Sequence, residues 1–238
     1  MPRFLVVLDA DSTLLEDEVI ELLADAAGTR ERVAAVTERA MRGELDFAAS
    51  LRERVSTLAG LPVSVFEQVR DDVRVTRGAA DLVAGVHAAG GTVGVVSGGF
   101  HEVLDPFAVA LGLDHCRANR LEVRDGRLTG SVAGTIVDAA AKADALRAWA
   151  EEDRVDLART VAVGDGANDL AMMAAAGLAV AFDARPRVRA AADVVVDRRD
   201  LTPVLACLGI PLPGVSVSGR GQSPMPTPPS TGMTAPEM

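Results

Sequence analysis

The sequence has few of the residues on which several classes of protein depend. Aromatic residues make up only 3% of the chain, with no tyrosine and one tryptophan, so Val, Leu and Ala have to build the core. The two cysteines, Cys116 and Cys207, are far apart and lack the spacing of a metal site. We therefore expect no disulfide framework, and this cysteine usage fits a reducing compartment.

An excess of basic residues is also missing. Lys and Arg total 24 against 34 Asp and Glu, which gives a net charge of -10. This balance argues against a nucleic acid or an anionic membrane surface as the main partner. No apolar run reaches the length of a membrane span, and the first residues lack the pattern of a secretory signal. We expect a cytoplasmic protein that acts on a small molecule, and the sequence leaves its oligomeric state open.

Short apolar runs alternate with helical patterns over most of the chain. Residues 4–8, 92–96 and 160–163 are apolar runs that predict buried strands. Asp125-Gly126 is a turn signal between two short alternating segments and predicts a hairpin. From about residue 76 onward strands and helices alternate, which is typical of a doubly wound, mostly parallel α/β sheet.

Two segments depart from this alternation. Residues 14–75 carry several helical patterns without a strand between them, whereas a parallel sheet normally returns after one helix. We predict an α/β core made of residues 1–13 and 76–210, with residues 14–75 as an inserted helical cap. Residues 211–238 are rich in Pro, Ser, Gly and Thr, which predicts a disordered tail.

Polar residues follow three of the predicted strands. They are Asp9 and Asp11, then Ser97-Gly98-Gly99, and then Asp165, Asn168 and Asp169. Because ligands of open α/β sheets bind at the carboxyl ends of the strands, we expect these residues to converge. Several carboxylates in one pocket repel each other unless a cation is present, and hard oxygen ligands favour Mg²⁺. Lys142 taken alone is an ordinary helix lysine, but it could supply a point charge to a phosphate.

These stretches resemble a known family. Asp9-x-Asp11-Ser12-Thr13, Ser97-Gly98-Gly99-Phe100, Lys142 and Gly164-Asp165-Gly166-Ala167-Asn168-Asp169 match in order the four motifs of the haloacid dehalogenase superfamily. Within it, Glu18 and the pattern Met41-x-Gly43-x-Leu45-x-Phe47-x-x-Ser50-Leu51-x-x-Arg54 resemble the phosphoserine phosphatases. The resemblance covers residues 4 to about 208 and implies a Rossmann-like core with a helical cap.

The resemblance implies a role for each motif residue. Asp9 would be the nucleophile that becomes an aspartyl-phosphate, and Asp11 would be the general acid and then the general base. Asp9, the backbone carbonyl of Asp11, and Asp165 would hold Mg²⁺, with Asp169 supporting that site from a neighbouring position. The residues implied to bind or approach the phosphoryl oxygens are Ser97, Gly98, Lys142 and Asn168.

The resemblance also implies how the cap would recognise an amino acid. Glu18 would pair with the substrate ammonium, and Arg54 would grip its carboxylate. Met41 and Phe47 would cover the ligand. Spacing alone indicates cap core packing for Met41 and Phe47, and a surface ion pair with Glu53 or Glu38 for Arg54.

The implied reaction is Mg²⁺-dependent hydrolysis of O-phospho-L-serine to serine and phosphate, the last step of serine biosynthesis. Hydrolysis of another small phosphate ester stays open. So does transfer of the phosphoryl group to an alcohol such as homoserine. A non-catalytic phosphate sensor is a further alternative, although the intact Asp9 and Asp11 argue against it.

Overall fold

The computed structural model describes residues 2–42 and 44–211. The predicted tail from residue 212 onward, Gly43 and the side chain of Met41 lie outside the described part of the chain. In the described ranges, no helix is long and apolar enough to cross a membrane.

A seven-stranded sheet forms the centre of the molecule, in the order β4-β3-β2-β1-β5-β6-β7. All neighbouring strands pair in parallel except β3 and β4, which are antiparallel. The strands are β1 (Leu5–Leu8), β2 (Thr92–Phe100), β3 (His115–Arg124), β4 (Arg127–Ala133), β5 (Thr160–Gly164), β6 (Leu178–Phe182) and β7 (Val194–Val196). β1 lies between β2 and β5, so the chain order reverses there, which is where such folds place their ligand.

Helices connect the strands. They are α1 (Val19–Ala26), α2 (Arg30–Met41), α3 (Phe47–Ser56), α4 (Val65–Asp72), α5 (Ala79–Ala88), α6 (His101–Leu111), α7 (Ala139–Asp153), α8 (Leu170–Ala175), α9 (Pro186–Arg189) and α10 (Pro203–Cys207). Asp46 begins α3 by accepting a hydrogen bond from Ala49 N at 2.7 Å, as its position before the apolar run predicts. The doubly wound, mostly parallel α/β fold is confirmed.

The alternation of side chains along β1 separates two apolar cores. Val6 and Leu8 belong to the core on one face of the sheet, and Leu5 and Val7 belong to the core on the other. The first core continues into the segment of α1–α4 through residues such as Leu51. The boundary between core and cap therefore crosses continuous apolar packing, and the division into the predicted domains stays a proposal.

The Asp125-Gly126 hairpin forms as predicted. Arg124 pairs with Arg127, and the two turn residues have φ values of 51° and 71°. Positive φ at both central positions is what a two-residue hairpin turn of this hand requires, and glycine adopts it without a Cβ penalty.

Two element boundaries differ from the sequence prediction. β2 continues through Ser97-Gly98-Gly99 to Phe100 instead of ending at Val96, with a shift in its register against β3 between Val96 and Phe100. α1 begins at Val19 rather than near Glu16, because Asp17 accepts a hydrogen bond from Arg74 N and Glu16 N donates one to Arg74 O. The polar glycine stretch is thus a bulged end of a strand, and residues 16–17 are held in extended backbone.

Candidate active site

A cavity of about 710 Å³ opens at the carboxyl ends of β1, β2 and β5. The predicted site residues that line it are Asp9, Asp11, Glu18, Phe47, Arg54, Gly98, Asp165 and Asn168. Three others, Ser97, Lys142 and Asp169, are fully buried beside it instead of lining it. The structure therefore brings both carboxylate-rich motifs and residues of the helical segment to one opening.

The turn after β1 holds Asp9 in a fixed place. Asp9 N donates to Val163 O at 2.9 Å, and Ala10 N donates to Asp9 Oδ1 at 2.7 Å. Thr13 Oγ1 donates to Asp165 Oδ1 at 3.2 Å, which ties the β1 turn to the end of β5. The backbone of this turn positions the Asp9 carboxylate, and its Thr13 side chain helps to hold the Asp165 carboxylate.

Lys142 lies between two carboxylates in the interior. Its Nζ is 2.6 Å from Asp9 Oδ1 and 2.7 Å from Asp169 Oδ1, and the side chain is 0% exposed. Burial alone would lower the pKa of Lys142, but the Asp169 and Asp9 carboxylates outweigh it and raise that pKa. Lys142 is thus a fully charged ammonium that holds one oxygen of each carboxylate.

The remaining oxygens suit a divalent cation. Carboxylate oxygens of Asp9, Asp165 and Asp169 lie within 4.8 Å of one another. Both oxygens of Asp169 are engaged, one by Lys142 and one by Gly166 N at 3.0 Å. Asp9 and Asp165 each retain one oxygen that makes no hydrogen bond within residues 2–42 and 44–211. These two free oxygens fit a metal ion that prefers hard ligands.

Burial and the negative charges at this edge of the sheet raise the pKa values of two carboxyl groups. Burial, followed by the charges of Asp169 and Glu18, raises the pKa of Asp165 to about 6. Burial, followed by the charge of Glu18, raises the pKa of Asp11 to about 8. A cation would relieve this repulsion, and without one Asp11 carries its proton at neutral pH.

Arg54 has an unusual environment for an arginine. Glu53 pairs with Arg39 at 2.6 Å and Glu38 pairs with Arg42 at 2.7 Å, so neither makes the surface ion pair that spacing alone indicates for Arg54. Arg54 forms no ion pair with any residue that the structure describes, and its Nε donates only to Ser50 O at 3.4 Å. Burial lowers the pKa of Arg54, an effect that the charges of Glu18 and Asp11 partly offset. Its guanidinium faces the cavity with donors available for an anion.

The helical segment covers the end of β2 through Phe47. A Cβ placed on Gly98 would lie 2.8 Å from Phe47 Cζ, so the ring packs directly on the Gly98 backbone. Ser97 Oγ accepts a hydrogen bond from Gly99 N at 2.7 Å, which folds the bulge back on itself. Any side chain at position 98 would have to displace the Phe47 ring.

Two residues that line the cavity and one buried beside the end of β2 have no counterpart in the sequence prediction. Arg185 and Arg187 line the opening after β6, and the rule that ligands bind at the carboxyl ends of strands could have found them. Asn119 is buried in β3, where its Nδ2 donates to Gly98 O and its Oδ1 accepts from Val137 N, both at 2.8 Å. No sequence signal distinguishes Asn119 from other polar residues of a hairpin strand.

Comparison with known proteins shows the family to which the chain belongs. A family model described as haloacid dehalogenase-like hydrolase matches residues 6–174. The phosphoserine phosphatase of Lactococcus lactis subsp. lactis is 48% identical over 201 residues, which cover 84% of this chain and 93% of that protein. The phosphoserine phosphatase of Streptomyces coelicolor is 56% identical over 206 residues, and the chain covers half of its length (87% of this chain, 50% of that protein).

A solved structure has the same fold. It is described as a phospho-aspartyl intermediate analogue of phosphoserine phosphatase, and it superposes with a TM-score of 0.82 at 41% identity. The match covers 87% of this chain and 99% of that one. The resemblance of the motifs is confirmed over nearly all of the described residues. The chain belongs to the haloacid dehalogenase-like hydrolase family, in the group that contains the phosphoserine phosphatases.

Proposed function

We propose that this chain hydrolyses O-phospho-L-serine to L-serine and phosphate with Mg²⁺, as the last step of serine biosynthesis. One observation carries the proposal: a cavity with Asp9 and Asp11 at one end also contains Arg54, a half-buried cation without an ion-pair partner among the described residues. Such a cavity offers one place for a phosphate ester and another for an amino-acid carboxylate. The relatives from Lactococcus lactis and Streptomyces coelicolor are named for the same substrate.

Asp9 is positioned to attack phosphorus. Lys142 and Ala10 N hold its Oδ1, which keeps the carboxylate oriented so that one of its oxygens can attack phosphorus while the other would ligate the metal. When the bond from this oxygen to phosphorus forms, the bond from phosphorus to the serine oxygen breaks. Asp11 in its protonated form gives its proton to the departing serine oxygen.

The second half of the reaction returns Asp9 to its starting state. The Asp11 carboxylate takes a proton from a water molecule, and the water oxygen bonds to phosphorus. The bond between phosphorus and the Asp9 oxygen then breaks and releases phosphate. Ser97, Gly98 and Asn168 would bind the phosphoryl oxygens, and Lys142 at 2.6 Å from Asp9 would reach a phosphoryl group carried by it.

The metal site uses the carboxylates described above. Asp9, Asp165 and the backbone carbonyl of Asp11 would hold Mg²⁺, which when bound neutralises charge on the phosphoryl group. Asp169 supports the site because it fixes both Lys142 and Gly166 N. Oxygen ligands without His or Cys favour Mg²⁺ over softer metals.

Residues of the proposed helical cap, 14–75, would recognise the amino acid. Glu18 would pair with the ammonium, Arg54 with the carboxylate, and Phe47 would exclude water from above Gly98. Met41 would help to cover the ligand. Residues of the cap would thus recognise the substrate, and residues of the core would cleave it. Two free cysteines fit the proposed cytoplasmic location, since reduced thiols persist in that compartment.

A panel of phosphate esters with Arg54 variants tests the proposal. Phosphate release in Mg²⁺ would be measured for L-phosphoserine, phosphothreonine, phosphohomoserine, phosphoethanolamine, glycerol phosphate and a sugar phosphate. Arg54→Ala should lower kcat/KM for phosphoserine on the order of 100-fold, since hydrogen bonds to charged groups are strong. It should change kcat/KM for phosphoethanolamine, which lacks the carboxylate, far less.

Arg52 is the matched control because it is exposed on the same helix. Arg52→Ala should behave like wild type on every ester. Equal hydrolysis of sugar or glycerol phosphates, unaffected by Arg54→Ala, would refute phosphoserine as the substrate while leaving the hydrolase chemistry in place.

A further inference from the structure

We propose that Ser12 is a positioning residue that orients the Glu18 carboxylate toward the substrate ammonium. In this way it sets the preference for phosphate esters that carry an α-ammonium over esters that lack one. The inference rests on the proposed function, and it assigns a task to a motif residue that the mechanism above does not use. Ser12 itself touches neither the phosphoryl group nor the metal ligands in that mechanism.

The Glu18 side chain is available for a ligand because it does not cap its helix. It lies at the residue before α1, where a polar side chain commonly accepts from the first backbone N–H groups, yet it makes no such bond. Val19 N donates to Asp11 Oδ1 at 3.4 Å instead. Glu18 also forms no ion pair with any described residue, so none of these residues neutralises its negative charge by direct pairing.

Ser12 supplies the contact that fixes this carboxylate. Its Oγ donates to Glu18 Oε1 at 2.8 Å, a length typical of a good hydroxyl hydrogen bond. A hydroxyl is neutral, so it restricts rotation of the carboxylate without cancelling the charge that an ammonium needs. Oε2 of Glu18 makes no hydrogen bond with the residues that the structure describes and is available to the ligand. An arginine or lysine at this place would orient the group equally well but would compete with the substrate.

The backbone of Ser12 indicates that the hydroxyl is the reason for a serine at this position. Ser12 has φ 59° and ψ 2°, in the left-handed region that favours glycine. The tight turn requires this conformation, because Leu15 N donates to Ala10 O at 2.8 Å across it. Glycine would adopt the same backbone with less strain, and strained residues of this kind concentrate at functional sites.

Paired substitutions separate the hydroxyl from the backbone. Ser12→Gly removes the hydroxyl and relieves the backbone, whereas Ser12→Ala removes the hydroxyl and keeps the strained backbone. We expect both variants to raise KM for phosphoserine roughly tenfold with a much smaller change in kcat, since a hydrogen bond to a charged group is lost. For phosphoglycerate, which carries a hydroxyl in place of the ammonium, KM should stay near that of wild type.

A cycle with Glu18→Gln tests whether Ser12 acts through Glu18. In the Glu18→Gln background, Ser12→Gly should leave the ratio of kcat/KM for phosphoserine over phosphoglycerate unchanged, because the group it orients no longer carries a charge. A Ser12→Gly variant that keeps the wild-type ratio would overturn the proposal. Equal losses on both esters in Ser12→Ala but not in Ser12→Gly would show a backbone effect and overturn it as well. Failure of the proposed function is separate, because wild type would then not favour phosphoserine at all.

Discussion

At the scale of single residues, Lys142 makes contacts that its local sequence does not indicate. In the sequence, Lys142 follows three alanines in a predicted helix, and only the family motif assigns it to a phosphate. In the structure its ammonium bridges Asp9 and Asp169, which lie on the β1 turn and in the short 3₁₀ turn after β5. Sequence patterns could not predict this pairing, because the two partners come from separate motifs that meet only after the sheet has formed.

Substitution of Lys142 should therefore destabilise the protein as well as inactivate it. Lys142→Met leaves two buried carboxylates without their cation, which should lower the free energy of unfolding by about 3–5 kcal/mol. Urea unfolding in the absence of Mg²⁺ measures the loss. Arg147→Met is the control, since Arg147 is exposed on the same helix and, among residues 2–42 and 44–211, pairs only with Asp144. Equal midpoints for the two variants would contradict an internal ion pair at Lys142.

At the scale of elements, the strands and their order explain most of what the sequence predicts. The apolar runs locate β1, β2 and β5, and the rule for open sheets brings their polar ends together. The bulge in β2 and the contacts of Asn119 do not follow from any pattern. Asn119 bonds to two backbone groups, Gly98 O and Val137 N, and backbone groups leave no signature in a sequence.

Removing the Asn119 side chain should weaken the contacts that join β3 to β2 and to the segment before α7. Asn119→Ala leaves Gly98 O and Val137 N unpaired in the interior, and the loss should reach about 2–4 kcal/mol, since each buried orphan costs about 1–3 kcal/mol. kcat/KM should fall as well, because Gly98 lines the cavity and Val137 precedes the helix that carries Lys142. Urea unfolding and steady-state kinetics measure the two effects.

Thr129 offers the comparison for Asn119. Its hydroxyl bonds to Glu122 across the hairpin at 2.6 Å, and it does not line the cavity. Thr129→Ala should leave kcat/KM near the wild-type value. If Asn119→Ala also kept full activity while losing stability, Asn119 would not position the Gly98 backbone for the reaction.

At the scale of the whole molecule, the chain is acidic but its cavity contains several basic residues. The net charge is -10, while four basic residues lie in or beside the cavity: Arg54, Lys142, Arg185 and Arg187. Composition gives the net charge but could not predict where these basic residues lie, because it carries no information on position. The fold class and the family were predictable, whereas the local charge arrangement required coordinates.

The raised pKa values of the site acids predict how stability depends on pH in metal-free protein. The pKa values of Asp11 and Asp165 are raised to about 8 and about 6, while an unfolded aspartate titrates near about 3.9. Between about pH 3.9 and about pH 8 the folded state binds more protons than the unfolded state, so the free energy of unfolding falls as pH rises. The midpoint of thermal unfolding in EDTA should therefore decrease from about pH 5 to about pH 8.

Added Mg²⁺ should reverse this trend. It binds the deprotonated carboxylates of the folded state, so the stabilisation it gives should grow as pH rises. A midpoint in EDTA that rises over the same range, or a gain from Mg²⁺ that does not depend on pH, would contradict the clustering of unpaired carboxylates at this site.

The most direct test of the account is to trap the phosphoryl group on the enzyme. Protein mixed with phosphoserine and Mg²⁺ would be quenched in acid, digested and examined by mass spectrometry. The account predicts that one phosphoryl group is carried by Asp9, and that Asp9→Asn gives no such adduct and loses turnover by at least about a thousandfold while remaining folded. A phosphoryl group on another residue, or an Asp9→Asn protein that retains substantial turnover, would contradict Asp9 as the nucleophile.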